Sequence, residues 1–138
     1  MQAPTATDLV NDAVVQQALD EAWADSLASD PAQRHEEGGW IYVDAASGRI
    51  EVRRAPRGVQ AMIDLNHPPI LFGCILVGKF HTHPNPTAEG WVGGPSNVDL
   101  ATDIVHGVPD LIRADDGLYV SGHDSRRGGL TGFPGYPP

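Results

Sequence analysis

Two short segments, His81-Thr82-His83-Pro84 and Ser96-Asn97-Val98-Asp99, contain the residues of this chain best suited to chemistry. The apolar run from Cys74 to Phe80 predicts a β-strand that continues into the first segment. Side chains of a strand alternate between its two faces, so His81 and His83 would lie on one side, roughly 6.6 Å apart along the backbone. Two imidazoles in this arrangement can bind the same metal ion.

Asp99 is the predicted third ligand, after a loop rich in Gly and Pro from 85 to 95 that would return the chain to the strand end. Ser96 is a typical N-cap residue, so a helix would begin after it and place Asp99 in the first turn, where a negative charge is favourable. Ser-x-x-Asp is also the pattern of ordinary helix capping, and alone it favours that interpretation. The two upstream histidines make a metal ligand the preferred hypothesis.

Two histidines and one aspartate are three protein ligands for one zinc ion per chain, with a fourth position left for water, as in hydrolytic zinc sites. Zinc lowers the pKa of its water toward about 7, so a general base is also needed. Glu36 is the best candidate, because it lies at the head of a predicted strand, where a side chain can point into a cleft. Its neighbour Glu37 is the alternative.

The order of these motifs resembles that of the JAMM metalloproteases, the catalytically competent branch of the MPN domains. The family's Glu-x-Cys/Gly-Gly pattern aligns with Glu36-Glu37-Gly38-Gly39, so its glutamate corresponds to Glu36 rather than Glu37. The resemblance implies a zinc site, a glutamate that carries the proton from water to the leaving amine, and a serine that stabilises the oxyanion. The corresponding residues would be His81, His83 and Asp99 for zinc, Glu36 for the proton and Ser96 for the oxyanion.

The resemblance predicts a zinc-dependent peptidase or isopeptidase, similar to the small standalone JAMM proteins of prokaryotes. Its substrate would be a protein, such as a ubiquitin-like protein or its conjugate. The alternative is a non-catalytic MPN-like scaffold that binds a partner, although members of that branch usually lack one or more of the five functional positions. Zinc hydrolysis of a non-peptide bond would use the same residues.

One departure from the family pattern is an insertion between the second histidine and Ser96, comprising residues 88–94. Such a segment could be a lid that carries Trp91 as an apolar contact for the substrate. The alternative is a tolerated surface loop. A loop that distorted the approach of Asp99 would disrupt metal binding.

The composition constrains the partners and the compartment. A formal charge of −9 over 138 residues argues against binding to nucleic acid or to an anionic membrane. The single cysteine, Cys74, cannot form an internal disulfide, and the first residues lack the pattern of a secretory signal, so a cytoplasmic location is expected. Nothing in the sequence predicts the oligomeric state.

The pattern of elements predicts an α+β fold, with the MPN-like central mixed sheet flanked by helices that the resemblance implies. A single catalytic domain would span 1–122, and an irregular Gly/Pro-rich tail 123–138. Arg126-Arg127-Gly128-Gly129 in that tail is similar to the end of ubiquitin-like modifiers, although chance favours this in a Gly-rich segment. Helices are predicted at 7–28 and 97–106, and strands at 40–43, 49–54, 59–65, 70–83, 111–113 and 118–121.

Overall fold

In the computed structural model, which describes residues 3–123, a five-stranded sheet separates two N-terminal helices from a third helix. The helices are α1 (Ala6–Val10), α2 (Ala13–Asp25) and α3 (Asn97–His106), and the strands are β1 (Gly38–Asp44), β2 (Ile50–Arg54), β3 (Cys74–His83), β4 (Pro109–Ala114) and β5 (Gly117–Gly122). A single 3₁₀ turn, Thr87–Glu89, lies between β3 and α3. The predicted α+β class is confirmed.

The strands lie in the order β2-β1-β3-β4-β5, and all neighbours are antiparallel except β3 and β4. The parallel pair needs a crossover, which the loop after His83 and helix α3 provide. Gly38 of β1 pairs with His81 of β3, which fixes the position of the segment before β1 relative to the end of β3. Of the predicted tail, residues 124–138 lie outside the described residues, and so does the Arg126–Gly129 segment.

The prediction of one helix from 7 to 28 was wrong, because two shorter helices lie there and the second begins after the N-cap residue Asp12. The Asp12 side chain accepts hydrogen bonds from the backbone N–H groups of Val14 and Val15, so Asp12 is the N-cap of α2 and not a residue within one long helix. Helix α2 ends at Asp25, and Leu27 follows in the left-handed conformation with φ 53°. A β-carbon makes that conformation unfavourable within a helix.

The predicted strand from 59 to 65 was also wrong. The segment forms one isolated bridge between Val59 and Met62 and is otherwise irregular. Leu65 is nevertheless buried, and its carbonyl accepts a hydrogen bond of 3.1 Å from the indole N–H of Trp40. The segment is therefore a loop that packs against the sheet through Leu65, while Val59 and Met62 remain exposed.

The remaining elements follow the predictions closely. Strand β3 begins at Cys74 and not at Ile70, because a turn at Phe72-Gly73, where Gly73 has φ 78°, directly precedes it. Helix α3 has the predicted bounds, with Ser96 as N-cap and the left-handed Gly107 as C-cap. Strands β4 and β5 form the predicted hairpin.

The main apolar core lies on the sheet face covered by α1 and α2. Leu9, Leu19, Phe80 and Leu111 are fully buried there, and full burial of such a side chain stabilises the fold by about 1.5–3 kcal/mol. Residues of β3 next to Phe80 point to the opposite face, which α3 and the 55–73 segment cover in part. Among residues 3–123, no helix combines the length and apolar character needed to cross a membrane.

Candidate metal centre

The two motif histidines lie together at the carboxyl end of β3, as predicted. Their Nε2 atoms are 3.1 Å apart, and the rings meet edge to face at a centroid distance of 4.9 Å. His81 is buried and His83 is partly exposed toward a cleft. Strand alternation places both side chains on one face of the sheet.

Asp99 combines helix capping with contact to both histidines. Its Oδ2 accepts a 2.9 Å hydrogen bond from the Ser96 N–H, while its own N–H donates to Ser96 Oγ at 3.0 Å. Asp99 Oδ1 lies 3.3 Å from His81 Nε2, and Oδ2 lies 3.1 Å from His83 Nε2. The capping and ligand interpretations of the motif are therefore compatible, because the capping geometry aims the carboxylate at the rings.

The other nitrogen of each ring is held by an acceptor. His81 Nδ1 lies 3.1 Å from Oδ1 of Asp110, and His83 Nδ1 lies 3.0 Å from the carbonyl oxygen of Gly93. Carboxylate and carbonyl oxygens only accept hydrogen bonds, so each Nδ1 donates its hydrogen. In the neutral rings, the Nε2 lone pairs are then left to face a cation.

Glu36 reaches the same cluster from the segment before β1. Two backbone hydrogen bonds of 2.8 Å fix its main chain, one from the Gly58 N–H to the Glu36 carbonyl and one from the Glu36 N–H to the Val59 carbonyl. A carboxylate oxygen of Glu36 and one ring nitrogen each of His81 and His83 all lie within 4.8 Å of one another. Burial raises the pKa of Glu36 to about 7, although the two neighbouring histidines act in the opposite direction.

Glu37, the alternative base, is engaged elsewhere. One of its carboxylate oxygens lies 2.5 Å from His35 Nε2, and the other accepts a 2.7 Å bond from Arg54. Its backbone N–H donates to the Thr82 hydroxyl at 3.0 Å. Of the two adjacent glutamates, Glu36 alone belongs to the histidine cluster.

The cluster strongly favours positive charge. Burial by itself would lower the pKa of His81, but the carboxylates of Asp110 and Asp99 raise that pKa well above its usual value. Burial would likewise raise the pKa of Asp99, yet hydrogen bonds with His81 and His83 keep it well below the usual range. A cation bound between these groups would take the place of a proton.

The inserted segment forms one wall of a cleft of about 780 Å³ that opens onto the cluster. Trp91, which is 43 % exposed, lines this cleft. Met62 and Val98 also line it. With the segment in this position, Asp99 still contacts both His81 and His83. It is anchored at Gly93, where an added Cβ would lie only 2.3 Å from Asp116 Oδ1.

Two participants, Asp110 and Gly93, were missed from the sequence. Gly93 contributes only a backbone carbonyl, which has no signature in the side-chain pattern. Asp110 does carry a signal, because it is a lone acid in the apolar run from Val108 to Ile112. An ionisable residue at a buried strand position needs a partner, and the partner here is His81.

Comparison with known proteins adds no assignment to this geometry. No protein-family model matches the chain, and no curated protein or solved structure is similar enough to match. The chemistry of the site therefore depends on the residues themselves.

Proposed function

We propose that His81, His83 and Asp99 hold one zinc ion per chain. Zinc bonds of about 2.0–2.1 Å in a tetrahedral site place neighbouring ligand atoms about 3.3–3.4 Å apart. The two Nε2 atoms are 3.1 Å apart, Asp99 Oδ1 lies 3.3 Å from His81 Nε2, and Asp99 Oδ2 lies 3.1 Å from His83 Nε2. This agreement in spacing, with both Nδ1 atoms already committed, is the observation that supports the proposal.

The proposed reaction is hydrolysis of an amide bond, as in the JAMM peptidases that the motifs resemble. Zinc would supply a Lewis acid that polarises the substrate carbonyl and lowers the pKa of water toward about 7. Glu36, farther from the rings than Asp99, is positioned to take a proton from water and return it to the departing amine. The Ser96 hydroxyl accepts the bond from the Asp99 N–H and keeps its own hydrogen to donate to the developing oxyanion.

The proposed substrate is a protein with an exposed chain end or isopeptide bond, such as a ubiquitin-like protein or its conjugate. A cleft of about 780 Å³ with Met62, Trp91 and Val98 on its walls suits an extended segment with apolar side chains. The single thiol, Cys74, is consistent with action in the cytoplasm.

The first test is the zinc content of the purified chain, measured by elemental mass spectrometry without added metal. We expect close to one zinc per chain, falling sharply in Asp99→Ala. Asp8→Ala is a matched control, because Asp8 forms the same capping box with Thr5 at the start of α1 but contacts no histidine. Equal zinc loss in both variants would assign the effect to capping, and a zinc-free wild-type chain after supplementation would favour a partner-binding scaffold.

The second test is turnover of ubiquitin-like fusions and isopeptide conjugates, with and without a chelator. We expect cleavage that the chelator stops and added zinc restores. Cleavage that continues in the zinc-free protein would rule out the proposed mechanism.

A further inference from the structure

A cluster of buried charges lies beside the candidate metal centre, and two of its residues, Lys79 and Asp110, also line the cleft. Asp103, Asp110 and Lys79 are almost completely shielded from solvent. The Lys79 ammonium lies 2.9 Å from Asp103 Oδ1 and 3.8 Å from Asp110 Oδ2. Ser121 donates a 2.6 Å hydrogen bond to Asp103 from the neighbouring strand β5.

Asp110 links this cluster to the metal centre. Strands β3 and β4 place it opposite Lys79 in the parallel ladder, so both side chains emerge on the face that carries His81. Asp110 Oδ1 accepts the hydrogen of His81 Nδ1 at 3.1 Å, while its Oδ2 faces the Lys79 ammonium at 3.8 Å. A buried carboxylate is costly unless it is paired, and here its two oxygens face a ring N–H and a cation.

We propose that Asp110 is a positioning residue that holds the His81 ring with Nε2 directed at the metal, and that Lys79 holds Asp110. The inference rests on the proposed zinc site. A hydrogen-bonded carboxylate fixes the tautomer and the orientation of a ligating imidazole, and it raises the basicity of the nitrogen that binds the metal. Loss of such a partner typically lowers metal affinity about 10- to 100-fold. Asp110 would act on the metal only through His81.

The helix α3 side of the cluster supports this role for Lys79. His106, in the last turn of α3, accepts a 2.6 Å bond from the Lys79 ammonium at Nδ1 and donates a 2.8 Å bond from Nε2 to Asn66. The ammonium is therefore held by two residues of α3, Asp103 and His106. An ammonium that cannot move away is suited to hold the second oxygen of Asp110 in place.

The test compares zinc affinity in the full chain for Asp110→Ala, Asp110→Asn and Ser121→Ala, by competition with a chromophoric chelator. We expect affinity to fall about 10- to 100-fold in Asp110→Ala. The fall should be smaller in Asp110→Asn, whose amide oxygen can still accept from His81 Nδ1. Ser121→Ala removes a buried hydrogen bond from the same cluster without touching His81, and its zinc affinity should stay within about twofold of wild type.

A second measurement separates positioning from general stability. Co²⁺ bound in place of zinc reports ligand geometry through its visible absorption, and we expect the bands to shift in Asp110→Ala but not in Ser121→Ala. Thermal melting of the metal-free chains should show losses of similar size in Asp110→Asn and Ser121→Ala. If Asp110→Ala does not fold, the comparison of Asp110→Asn with Ser121→Ala tests whether Asp110 positions His81.

Unchanged affinity and unchanged cobalt bands in the folded Asp110 variants would overturn the role of Asp110 and leave the proposed zinc site standing. Equal losses in the Asp110 variants and Ser121→Ala would also overturn it, since the effect would then be one of stability. A wild-type chain that binds neither zinc nor cobalt would overturn the proposed function and this inference together.

Discussion

His83 donates its Nδ1 hydrogen to the backbone carbonyl of Gly93, 3.0 Å away, and so the inserted loop orients one of the two histidines. The loop is held at that point by close packing, because Gly93 lies against Asp116 and Ala114 at the start of the β4–β5 turn. Thr87, which lies just before the inserted segment 88–94, donates its N–H to Asp115 at 3.0 Å. The loop that is a departure from the JAMM pattern is thus part of the site and not only an addition to its rim.

Replacing Gly93 by alanine should weaken zinc binding. The new Cβ would lie 2.3 Å from Asp116 Oδ1. Because Asp116 Oδ2 also accepts a 2.7 Å bond from the Tyr119 hydroxyl, rotation of that carboxylate is opposed, and we expect the loop to shift and carry the Gly93 carbonyl with it. Loss of the acceptor of a ligating histidine costs about 10- to 100-fold in metal affinity. The measurement is chelator competition, with Val92→Ala as control because Val92 is exposed in the same loop. Equal affinities for the two variants would contradict the orienting role.

Glu36→Gln should retain zinc and lose turnover. The amide is nearly the same size as the carboxylate but cannot take a proton, and general base catalysis contributes about 10²- to 10⁴-fold to a rate. Glu37→Gln is the matched control, since Glu37 pairs with His35 and Arg54 outside the cluster. The turnover of Glu37→Gln should stay within roughly a few-fold of wild type, because Glu37 takes no part in the proposed proton transfer. The opposite ranking of the two variants would transfer the base role to Glu37.

Trp91→Ala should raise KM and leave kcat and zinc content unchanged. The indole lines the cleft but can neither bind zinc nor take a proton from water, so it would contribute binding to substrate and transition state alike. Loss of an apolar contact of this size corresponds to a roughly tenfold rise in KM. Steady-state kinetics on a ubiquitin-like fusion would measure it. A fall in kcat with KM unchanged would show that Trp91 acts on the reaction step instead.

Zinc affinity should decrease as the pH is lowered. Although burial opposes it, the carboxylates of Asp110 and Asp99 raise the pKa of His81 well above its usual value, so the metal-free site retains a proton that zinc must displace. Below that pKa, displacement of one proton costs about tenfold in apparent affinity per pH unit. Chelator competition between about pH 6 and pH 8 would reveal this slope. A flat profile would show that His81 binds the metal without releasing a proton.

The parts of the fold that the sequence predicted well have strong local signals. Helix α3 carries an N-cap serine and a C-cap glycine, and the β4–β5 hairpin has a turn at Asp115-Asp116-Gly117. Asp12 was misinterpreted because an aspartate between apolar residues is equally typical of the solvated side of one long helix. The 59–65 segment was misinterpreted because its apolar composition is typical of a strand, whereas Val59 and Met62 are exposed and Leu65 is buried from a loop.

The candidate site likewise contains residues that the sequence predicts and residues that only the fold brings to the site. His81 and His83 are two residues apart in one strand, so their proximity follows from the strand alone. Asp110 and Gly93 reach these rings only because β4 lies beside β3 and because the loop folds back, and a linear pattern does not encode either event. The position of Glu36 depends likewise on long-range backbone bonds to Gly58 and Val59.

The pairing of Gly38 with His81 has a consequence for strand register. The groups that would bind or orient zinc belong to the continuous stretch 81–110, whereas Glu36 comes from the segment that leads into β1. A slip of one residue between β1 and β3 would move Glu36 by roughly 3.4 Å along the strand, without changing the metal ligands themselves. An added Cβ at Gly38 would lie 2.3 Å from the Phe80 carbonyl oxygen, so substitution there would push the two strands apart. Correct alignment of these two strands is thus what would turn a metal-binding segment into a hydrolytic one.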